Sequence, residues 1–324
     1  MEEQLKHFAE QFAWEPELSN PERLPADPSP LIVCGMGGSH LGARLLLRHN
    51  PSLDITIHSD YGLPRASRKR LENALIVASS YSGETEETLD VARTAVEAGL
   101  AVAVVTTGGA LARFAEEHSL PLILMPEASV EPRMAIGAQM LALTRLMRDI
   151  NLEKEIRRIG TGLNVEHGRA RGAELAKRLV GSIPVVYSST VNAPLAYFWK
   201  IAFNETSKVP AFYNLFPELC HNELSGFDNA EHTHEFSSRL HILILKDGDD
   251  HPRITKRMGL LQKLVAAQDL PVTTIELTGE HGLEKALYGV LVGVWTALVL
   301  AKEYQAPDAV TPLIAEFKRK MSGI

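Results

Sequence analysis

The sequence predicts an α/β protein of two tandem, doubly wound domains, in which parallel sheets are flanked by helices. Three observations support this fold class. Short apolar runs that end in glycine or serine alternate with helical stripes, as is typical of strands buried on both faces of a parallel sheet. The same plan of strand, Ser/Gly-rich loop and helix starts again after about residue 150. The chain has 324 residues, which suits roughly two domains of about 150 residues each.

In the first domain, four apolar runs are bounded by turn residues and are predicted to be strands. These runs are LIVCGM (31–36), ALIVASS (74–80), LAVAVVTT (100–107) and PLILMP (121–126). A helix is predicted to begin near Ser82, to carry an apolar stripe that starts at Leu89 and ends at Val96, and to stop at Gly99. Strand–helix alternation implies right-handed crossovers between parallel strands.

The second domain repeats this pattern with longer helices. The predicted strands are PVVYSS (184–189), LHILILKD (240–247) and LPVTTIEL (270–277), and the predicted helices are 193–205, 282–304 and 309–321. We expect residues 1–150 to form the first domain and 151–324 the second. The join is expected within 147–163, where charged residues and two glycines cluster.

Composition excludes several classes of protein. The formal net charge is −7, which argues against a general nucleic-acid binder because such proteins need clustered Lys and Arg. Two cysteines, Cys34 and Cys220, cannot build a disulfide framework, and the absence of CxxC argues against zinc. No apolar run approaches the roughly 20 residues of a membrane span, and the N-terminus does not resemble a signal peptide. We expect a cytoplasmic protein.

The first candidate ligand-binding loop is GMGGSHLGA (35–43), where glycines follow a strand and precede a helix. Such glycines allow backbone N–H groups to approach an anion, and the helix N-terminus attracts negative charge. The dinucleotide fingerprint G-x-G-x-x-G fails, because its last position is His40, and the lysine of a P-loop is missing. The alternative interpretation is a tight strand–helix turn without a ligand.

The second candidate loop is SSYSGETEET (79–88), which also follows a buried strand and opens a helix. Ser80, Ser82 and Thr85 place three hydroxyls at one helix start, which would bind a dianion with neutral donors. The alternative is an ordinary helix cap that uses Ser82 with Glu84 or Thr85. Glutamates crowd the same helix start and would repel a phosphate, so we expect them to face solvent. Ligands of open α/β sheets bind at the carboxyl ends of strands, and both loops follow such ends.

Together these two loops resemble the sugar isomerase (SIS) domain, in which a Ser/Thr-rich loop binds the phosphate of a sugar phosphate. Two such domains in a chain of this length resemble the family of bifunctional phosphoglucose/phosphomannose isomerases. The resemblance implies interconversion of glucose 6-phosphate and fructose 6-phosphate, with mannose 6-phosphate as a less secure substrate. The residues that it assigns to phosphate binding are Gly37, Gly38, Ser39, Ser80, Ser82 and Thr85.

The segment 204–229 carries the closest resemblance, through its Asn-Glu-x-x-Lys-x-Pro and His-Asn-Glu motifs. By this resemblance, Glu205 is the base that moves a proton between C1 and C2 through an enediolate. A carboxylate suits this task because it must accept the proton and return it. Without the resemblance, Glu205 would be interpreted as a surface residue paired with Lys208. His221 is implied to open the sugar ring, and to be supplied by the partner subunit of a homodimer.

Two further residues complete the implied site. Arg133 is implied to stabilise the negative charge of the enediolate, although the position also suits a surface residue at a helix start. Lys302, near the end of the long apolar helix, is implied to assist ring opening, although it could instead reach solvent. The threonine that the family uses for mannose 6-phosphate falls near Trp295 and Thr296, and its register is ambiguous.

No cofactor and no metal are expected. A loose set of ligand-type side chains occurs in the catalytic segment, but SIS-type isomerisation needs no metal. This set consists of His221, Glu223, Asp228, His232 and His234. The alternative function is a non-catalytic phosphosugar-binding sensor of the SIS class. A sensor has no need of Glu205, His221 and Lys302, so their presence together favours the enzyme.

Overall fold

The computed structural model describes residues 1–126, 131–228 and 233–321. The chain divides into two compact units. The first unit consists of Lys6–Leu163 with His281–Glu284, and the second of Met1–Leu5, Asn164–Glu280 and Lys285–Ile324. The main division therefore falls after Leu163 rather than at residue 150, because the helix over Ile150–Thr161 belongs to the first unit.

The first unit is a six-stranded sheet with helices. Its strands are β1 (Leu18–Ser19), β2 (Leu31–Cys34), β3 (Ile55–His58), β4 (Leu75–Ser80), β5 (Ala101–Thr106) and β6 (Leu122–Leu124). Its helices are α2 (Leu41–His49), α3 (Arg68–Asn73), α4 (Glu86–Glu97), α5 (Gly109–Glu117), α6 (Ile136–Met147) and α7 (Ile150–Thr161), whereas α1 (Glu2–Lys6) lies mostly in the second unit. The strand order is β1-β6-β5-β4-β2-β3, and only β1 is antiparallel to its neighbour.

The winding of the first sheet reverses between β2 and β4. The chain passes from β2 to β3 on one side, and then returns to β4 on the other. Every residue of β2 and β4 is buried, which explains their uninterrupted apolar sequences. The two candidate loops follow the carboxyl ends of these two strands, so the fold brings them together at the reversal point.

Helix α4 illustrates how the sequence sets its own limits. Ala92 and Ala95 from the predicted stripe are buried, and Val91 joins them. The helix ends at Glu97, and Gly99 follows with φ +69°. Glycine adopts this left-handed conformation without steric cost, and so terminates the helix as predicted.

The second unit is a four-stranded, parallel sheet with helices. Its strands are β7 (Ile183–Ser189), β8 (Phe212–Phe216), β9 (Leu240–Lys246) and β10 (Val272–Glu276), in the order β10-β9-β7-β8. Its helices are α8 (Val165–Leu179), α9 (Ala193–Ala202), α10 (His234–Ser237), α11 (Pro252–Ala266), α12 (Gly282–Glu303) and α13 (Pro312–Met321). The winding of this sheet reverses between β7 and β9. The predicted fold class, two tandem doubly wound α/β domains, is confirmed.

Helix α12 needs a correction to the sequence analysis. Within the described part of the chain, it is one helix that is long and apolar enough to cross a membrane by length and composition. However, 83% of its most apolar stretch is buried inside the protein. Its apolar residues therefore have a structural explanation as a core helix.

Candidate active site

The first glycine loop forms a 3₁₀ turn, Gly37–His40, directly after β2. Gly37 has φ +52°, a conformation that favours glycine. At Gly38, a side chain is excluded because a Cβ atom would lie 2.8 Å from the backbone nitrogen of Arg133. The sequence analysis gives these glycines the task of exposing backbone donors. The structure adds that Gly38 lets the Arg133 turn approach.

Ser39 connects the two candidate loops. It is 8% exposed, and its Oγ accepts a hydrogen bond from the backbone N–H of Tyr81 (3.1 Å). Its carbonyl accepts a bond from the Ser79 hydroxyl (2.7 Å). A hydroxyl that accepts one bond still has its own hydrogen to donate. Ser39 is therefore fixed in place while its hydroxyl retains a donor for an anion.

Ser80 and Thr85 bond to each other rather than capping the helix. Their hydroxyl oxygens lie 2.8 Å apart, and Ser80 Oγ also accepts from the backbone N–H of Gly83 (3.1 Å). Thr85 occupies the N-cap position of α4, yet its side chain makes no capping hydrogen bond. The first N–H groups of a helix have no acceptor within the helix, so this helix start suits an anion.

Ser82 is exposed, and its Oγ accepts a local bond from the backbone N–H of Glu84 (3.3 Å), ahead of the helix. The capping interpretation of Ser82 is therefore wrong. The glutamates of the loop behave largely as expected. Glu84 and Glu86 are exposed and Glu87 is half-buried, and the Glu84 carboxylate accepts from the backbone N–H of Ala110 (2.8 Å). We call Gly37, Gly38, Ser39, Ser80, Ser82 and Thr85 the hydroxyl cradle.

Arg133 lies beside the cradle, in the 3₁₀ turn Pro132–Met134 that leads into α6. Its side chain is 1% exposed, and Nη1 lies 3.3 Å from the Glu131 carboxylate. The interpretation of Arg133 as a surface residue is wrong. Its guanidinium is a buried cation with a carboxylate partner on its own turn, and that partner is a residue the sequence analysis did not single out.

His40 is buried next to Ser39 and is held neutral. Burial lowers its pKa to about 4, and the neighbouring charge of Arg44 acts in the same direction. The Arg44 side chain donates from Nε to His40 Nδ1 (3.1 Å). An imidazole that accepts at Nδ1 is uncharged. The turn that carries Ser39 is thus stabilised by a neutral histidine.

In the second unit, Glu205 lies on a π-helical turn, Phe203–Ser207, that follows α9. It is half-buried, and the turn ends at Lys208, which has φ +58°. The Lys208 ammonium donates to the main-chain carbonyl of Glu205 and to the carbonyl of Val310 (2.6 Å). Lys208 therefore stabilises the backbone of this turn, and helps to fix the position of the Glu205 carboxylate.

His221 is exposed on the 3₁₀ turn Glu218–His221 and is anchored on both sides. Leu219 is fully buried on one side. On the other, the Glu223 carboxylate accepts from the Tyr187 hydroxyl (2.5 Å) and from the Asn214 amide. Burial, together with this bond to Glu223, raises the pKa of Tyr187 far above its ordinary value. The imidazole is thus presented to solvent from a fixed loop.

Glu205 and His221 lie at opposite ends of the second sheet. Because β7 and β8 are parallel, the segment between them returns to the amino end of the sheet, and Glu205 is on that segment. His221 follows the carboxyl end of β8. The five residues of β8 span about 17 Å, and this strand lies between the segment that carries Glu205 and the turn that carries His221.

Lys302 and Thr296 lie on α12. Lys302 is on the surface, where its side chain is 56% exposed and forms an ion pair with Glu2. The neighbouring Tyr304 hydroxyl accepts from the backbone N–H of Gly181, just before β7, so Lys302 also lies towards the amino end of the sheet. Thr296 is fully buried and donates to its own helix, at the Val292 carbonyl (2.7 Å). Its hydroxyl hydrogen is therefore already bonded, and only its acceptor capacity is left.

The ligand-type side chains that the sequence analysis named between 221 and 234 form no metal site among the described residues. Among the described residues, no group of three or more His, Cys, Asp or Glu side chains is arranged to hold a metal ion. His232 lies outside the described residues. Cys34 is buried, and its pKa is raised to about 12 by burial, so its thiol stays protonated at neutral pH.

Sequence reasoning missed one polar residue beside the cradle. Gln139 in α6 is 2% exposed and hydrogen-bonds to the glycine turn. A signal was present, because a single glutamine stands in the apolar stretch Ile136–Leu143. A buried amide requires partners, and those partners were not identifiable from the sequence.

Comparison with known proteins agrees with this geometry. A family model described as "Bacterial phospho-glucose isomerase C-terminal SIS domain" matches residues 169–321. The chain is 30% identical over 326 residues to the bifunctional phosphoglucose/phosphomannose isomerase of Aquifex aeolicus, covering 98% of this chain and 97% of that protein. It is also 30% identical over 315 residues to the enzyme of that name from Caldicellulosiruptor bescii, covering 92% of this chain and 91% of that one.

Among solved structures, the fold is similar to that of a hypothetical protein of Thermus thermophilus. The TM-score is 0.68 at 16% sequence identity, and the match covers 99% of this chain and 88% of the other. At this identity the likeness concerns the fold alone. The near-complete match at 30% identity to the Aquifex aeolicus protein goes further, and this chain belongs to the family of SIS-domain bifunctional phosphoglucose/phosphomannose isomerases.

Proposed function

We propose that this chain is an aldose–ketose isomerase that interconverts glucose 6-phosphate and fructose 6-phosphate, and also mannose 6-phosphate. The observation that carries the proposal is the hydroxyl cradle at the reversal point of the first sheet, in a chain whose relatives are named bifunctional phosphoglucose/phosphomannose isomerases. The comparisons give no support to a non-catalytic sensor.

The hydroxyl cradle binds the phosphate. Ser39, Ser80, Ser82 and Thr85 supply hydroxyl donors, and the uncapped start of α4 supplies backbone N–H groups. These donors are neutral, so they bind the dianion through hydrogen bonds and the helix dipole rather than through a salt bridge.

Glu205 carries out the proton transfer. Starting from open-chain fructose 6-phosphate, the carboxylate removes a proton from C1, the C1–H electrons form a C1=C2 bond, and the O2 carbonyl becomes an enediolate oxygen. The hydroxyl proton of O1 passes to O2, and Glu205 returns its proton to C2, which leaves the aldehyde at C1. Arg133 stabilises the negative charge of the intermediate.

Glucose and mannose 6-phosphate are epimers at C2, so they differ in the face of C2 that receives the proton. One enediolate therefore leads to both products. Thr296, the position near which the family's threonine falls, is buried, and its hydroxyl hydrogen is bonded to its own helix, so it could act on this choice only as an acceptor.

His221 opens the sugar ring by moving a proton between the ring oxygen and O1. Because β8 lies between the segment that carries Glu205 and the turn that carries His221 in one chain, we assign this histidine to the site of a second copy, in a homodimer. The apolar side chains of Leu313, Phe317 and Met321 are exposed on α13, which suits burial against another copy. Lys302 is the weaker candidate for assisting ring opening, since its ammonium is paired with Glu2.

The test is an assay with fructose 6-phosphate that measures glucose 6-phosphate and mannose 6-phosphate separately. Glu205→Gln is expected to lower kcat by about two to four orders of magnitude while phosphosugar binding is kept. Full activity in this variant contradicts the assignment of the base. A chelator is expected to leave turnover unchanged.

The dimer is tested by mixing two inactive variants, Glu205→Gln and His221→Ala, after dissociation and reassociation. If His221 serves the site of the other copy, mixed dimers contain one site with both native residues, and part of the activity returns. No recovery in verified mixed dimers contradicts the assignment across the interface.

A further inference from the structure

Gln139 is a buried side chain on α6 to which the proposed reaction gives no role. Both ends of its amide are bonded to the loop that carries Ser39. Its Nε2 donates to the Gly38 carbonyl (2.9 Å), and its Oε1 accepts from the backbone N–H of Gly42 (3.0 Å). These partners lie on either side of Ser39, so one side chain spans the phosphate-binding turn.

The same segment of chain carries Arg133. The 3₁₀ turn Pro132–Met134 continues into α6, and Gly38 approaches it so closely that a Cβ would lie 2.8 Å from the Arg133 nitrogen. A Cβ on Gly42 would lie 2.6 Å from Gln139 Cβ. The Ser39 turn therefore contacts this segment at one end through Arg133 and at the other through Gln139.

We propose that Gln139 is a positioning residue that fixes the Ser39 turn of the hydroxyl cradle against the turn that carries Arg133. The inference rests on the proposed function, because it assumes that the cradle binds phosphate and that Arg133 faces the reacting carbons. An anion gains from backbone and hydroxyl donors only if they already point at it. The amide carries its donors and its acceptor on two separate atoms of one planar group, whereas a hydroxyl carries both on one atom and an ionised carboxylate has no donor.

The competing explanation is that Gln139 only stabilises the fold. Gly42 lies in the first turn of α2, so the amide oxygen also caps that helix. A cap alone would change the free energy of unfolding without changing phosphate affinity in the folded protein. The experiment must therefore measure binding and stability separately.

Two substitutions separate these explanations. Gln139→Leu removes both hydrogen bonds at similar volume. Gln139→Glu at pH 8 keeps the acceptor for Gly42 but places a carboxylate oxygen against the Gly38 carbonyl. Burial disfavours the charged form of a carboxyl, so at pH 5.5 we expect this group to take up a proton and to regain the donor of the amide. The charged and titratable groups around the Ser39 turn include Arg133, which is paired with Glu131, and Arg44, which is bonded to His40. Burial lowers the pKa of His40 to about 4, below this pH range.

Gln11 provides the matched control. Its Oε1 accepts from the backbone N–H groups of Gly137 (2.6 Å) and Ala138 (3.4 Å), and its Nε2 donates to the Phe8 carbonyl (2.9 Å). It therefore makes the same kind of contact with the same helix but does not hydrogen-bond to the glycine turn. Gln11→Glu tests whether any carboxyl against α6 produces the effect.

The readouts are the dissociation constant of inorganic phosphate, KM and kcat for fructose 6-phosphate, and the unfolding midpoint, for wild type and each variant at pH 8 and pH 5.5. We expect Gln139→Leu to weaken phosphate binding and to raise KM about tenfold at both pH values. Gln139→Glu should show this loss at pH 8 and recover most of it at pH 5.5, relative to wild type. Gln11→Glu should leave phosphate affinity unchanged at both.

Unchanged phosphate affinity in both Gln139 variants, with lowered stability, overturns the inference and leaves a helix cap. The same pH-dependent loss in Gln11→Glu overturns it as well. A wild-type protein that binds no phosphate overturns the hydroxyl cradle itself, which separates failure of the proposed function from failure of this inference alone.

Discussion

The two sheets are wound alike but hold different groups where their winding reverses. In the first sheet this point lies between β2 and β4, and the loops that follow supply the hydroxyls of Ser39 and Ser80. In the second it lies between β7 and β9, and an ion pair fills it. The Lys285 ammonium donates to Asp247 (2.8 Å) and Asp249 (2.5 Å) there. The corresponding crevice carries the hydroxyls that we propose bind an anion in one unit, and the chain's own charges in the other.

The ion pair is buried and well satisfied. Asp247 and Lys285 are 4% and 8% exposed. The Asp247 carboxylate also lies 3.4 Å from the Asn192 amide. Desolvation lowers the pKa of Lys285, but its hydrogen bonds to the two aspartates outweigh this and raise the pKa above the ordinary value. A phosphate dianion would be repelled by Asp247. The comparison thus sets a reversal point that we propose to bind phosphate beside one whose buried ion pair stabilises the fold.

The largest expected effect tests the second reversal point. Asp247→Ala removes the buried partner of the Lys285 ammonium and leaves only the exposed Asp249 bonded to it, and should lower the free energy of unfolding by about 3 kcal/mol. Asp249→Ala is the control, because that side chain is 78% exposed, and its loss should cost less than about 1 kcal/mol. Denaturant unfolding measures both. Equal losses, or a loss of phosphate affinity in folded Asp247→Ala, would contradict the division of roles.

The next largest expected effect is a loss of folding stability at acid pH, caused by His40 beside the first reversal point. The pKa of His40 is lowered from 6.5 to about 4 in the folded protein, so the unfolded chain takes up the proton first. The stability from a neutral His40 is complete above pH 6.5 and is lost between pH 6.5 and pH 4, by about 3 kcal/mol. Urea unfolding of wild type and His40→Gln across this range measures it. Parallel pH profiles of the two proteins would show that His40 does not titrate with unfolding.

A carboxylate placed in the hydroxyl cradle should make the cradle repel a phosphate, as Asp247 does at the second reversal point. Ser82→Asp puts a carboxylate where the phosphate is proposed to bind, and should weaken phosphate binding at least roughly 100-fold, because facing like charges cost several kcal/mol. Ser82→Asn has the same shape without the charge and is the control. Ser82 is exposed, so both variants should fold. Similar phosphate affinities for Asp and Asn variants would show that Ser82 lies away from the anion.

Sequence patterns located the central strands and the edge strand β10, but missed the edge strands β1, β3 and β8. β2 and β4 are buried along their whole length and therefore read as uninterrupted apolar runs. The edge strands β3 and β8 are partly exposed, and their sequences ITIH and FYNLF lack such a run. Periodicity reports burial, so a strand with one open side gives a weak signal.

The same limit applies to the site. The hydroxyls of the cradle could be predicted because each follows a strand, and topology brings strand ends together. The contacts of Gln139 with Gly42 and of Lys285 with Asp247 join residues 97 and 38 positions apart, and no local pattern encodes such pairs. The helix that carries Lys302 was predictable from the sequence. The sequence did not show at which end of the sheet that helix terminates, or that Lys302 forms an ion pair with Glu2.

The smallest expected effect comes from comparing two threonines, Thr85 at the N-cap of α4 and Thr88 in its first turn. The Thr85 hydroxyl bonds to Ser80 inside the cradle, whereas the buried Thr88 Oγ1 in the first turn of α4 has no hydrogen-bond partner in the described structure. Thr85→Val keeps the shape but breaks the bond, and should cost about 1 kcal/mol of stability and weaken phosphate binding roughly three- to tenfold. Thr88→Val removes only an unsatisfied hydroxyl, so stability should stay equal or rise, with phosphate affinity unchanged. Calorimetry with inorganic phosphate and thermal unfolding measure both variants. If Thr88→Val weakens phosphate binding as much as Thr85→Val, the affinity depends on the packing of α4 as a whole, and the Ser80–Thr85 pair loses its separate role in the cradle.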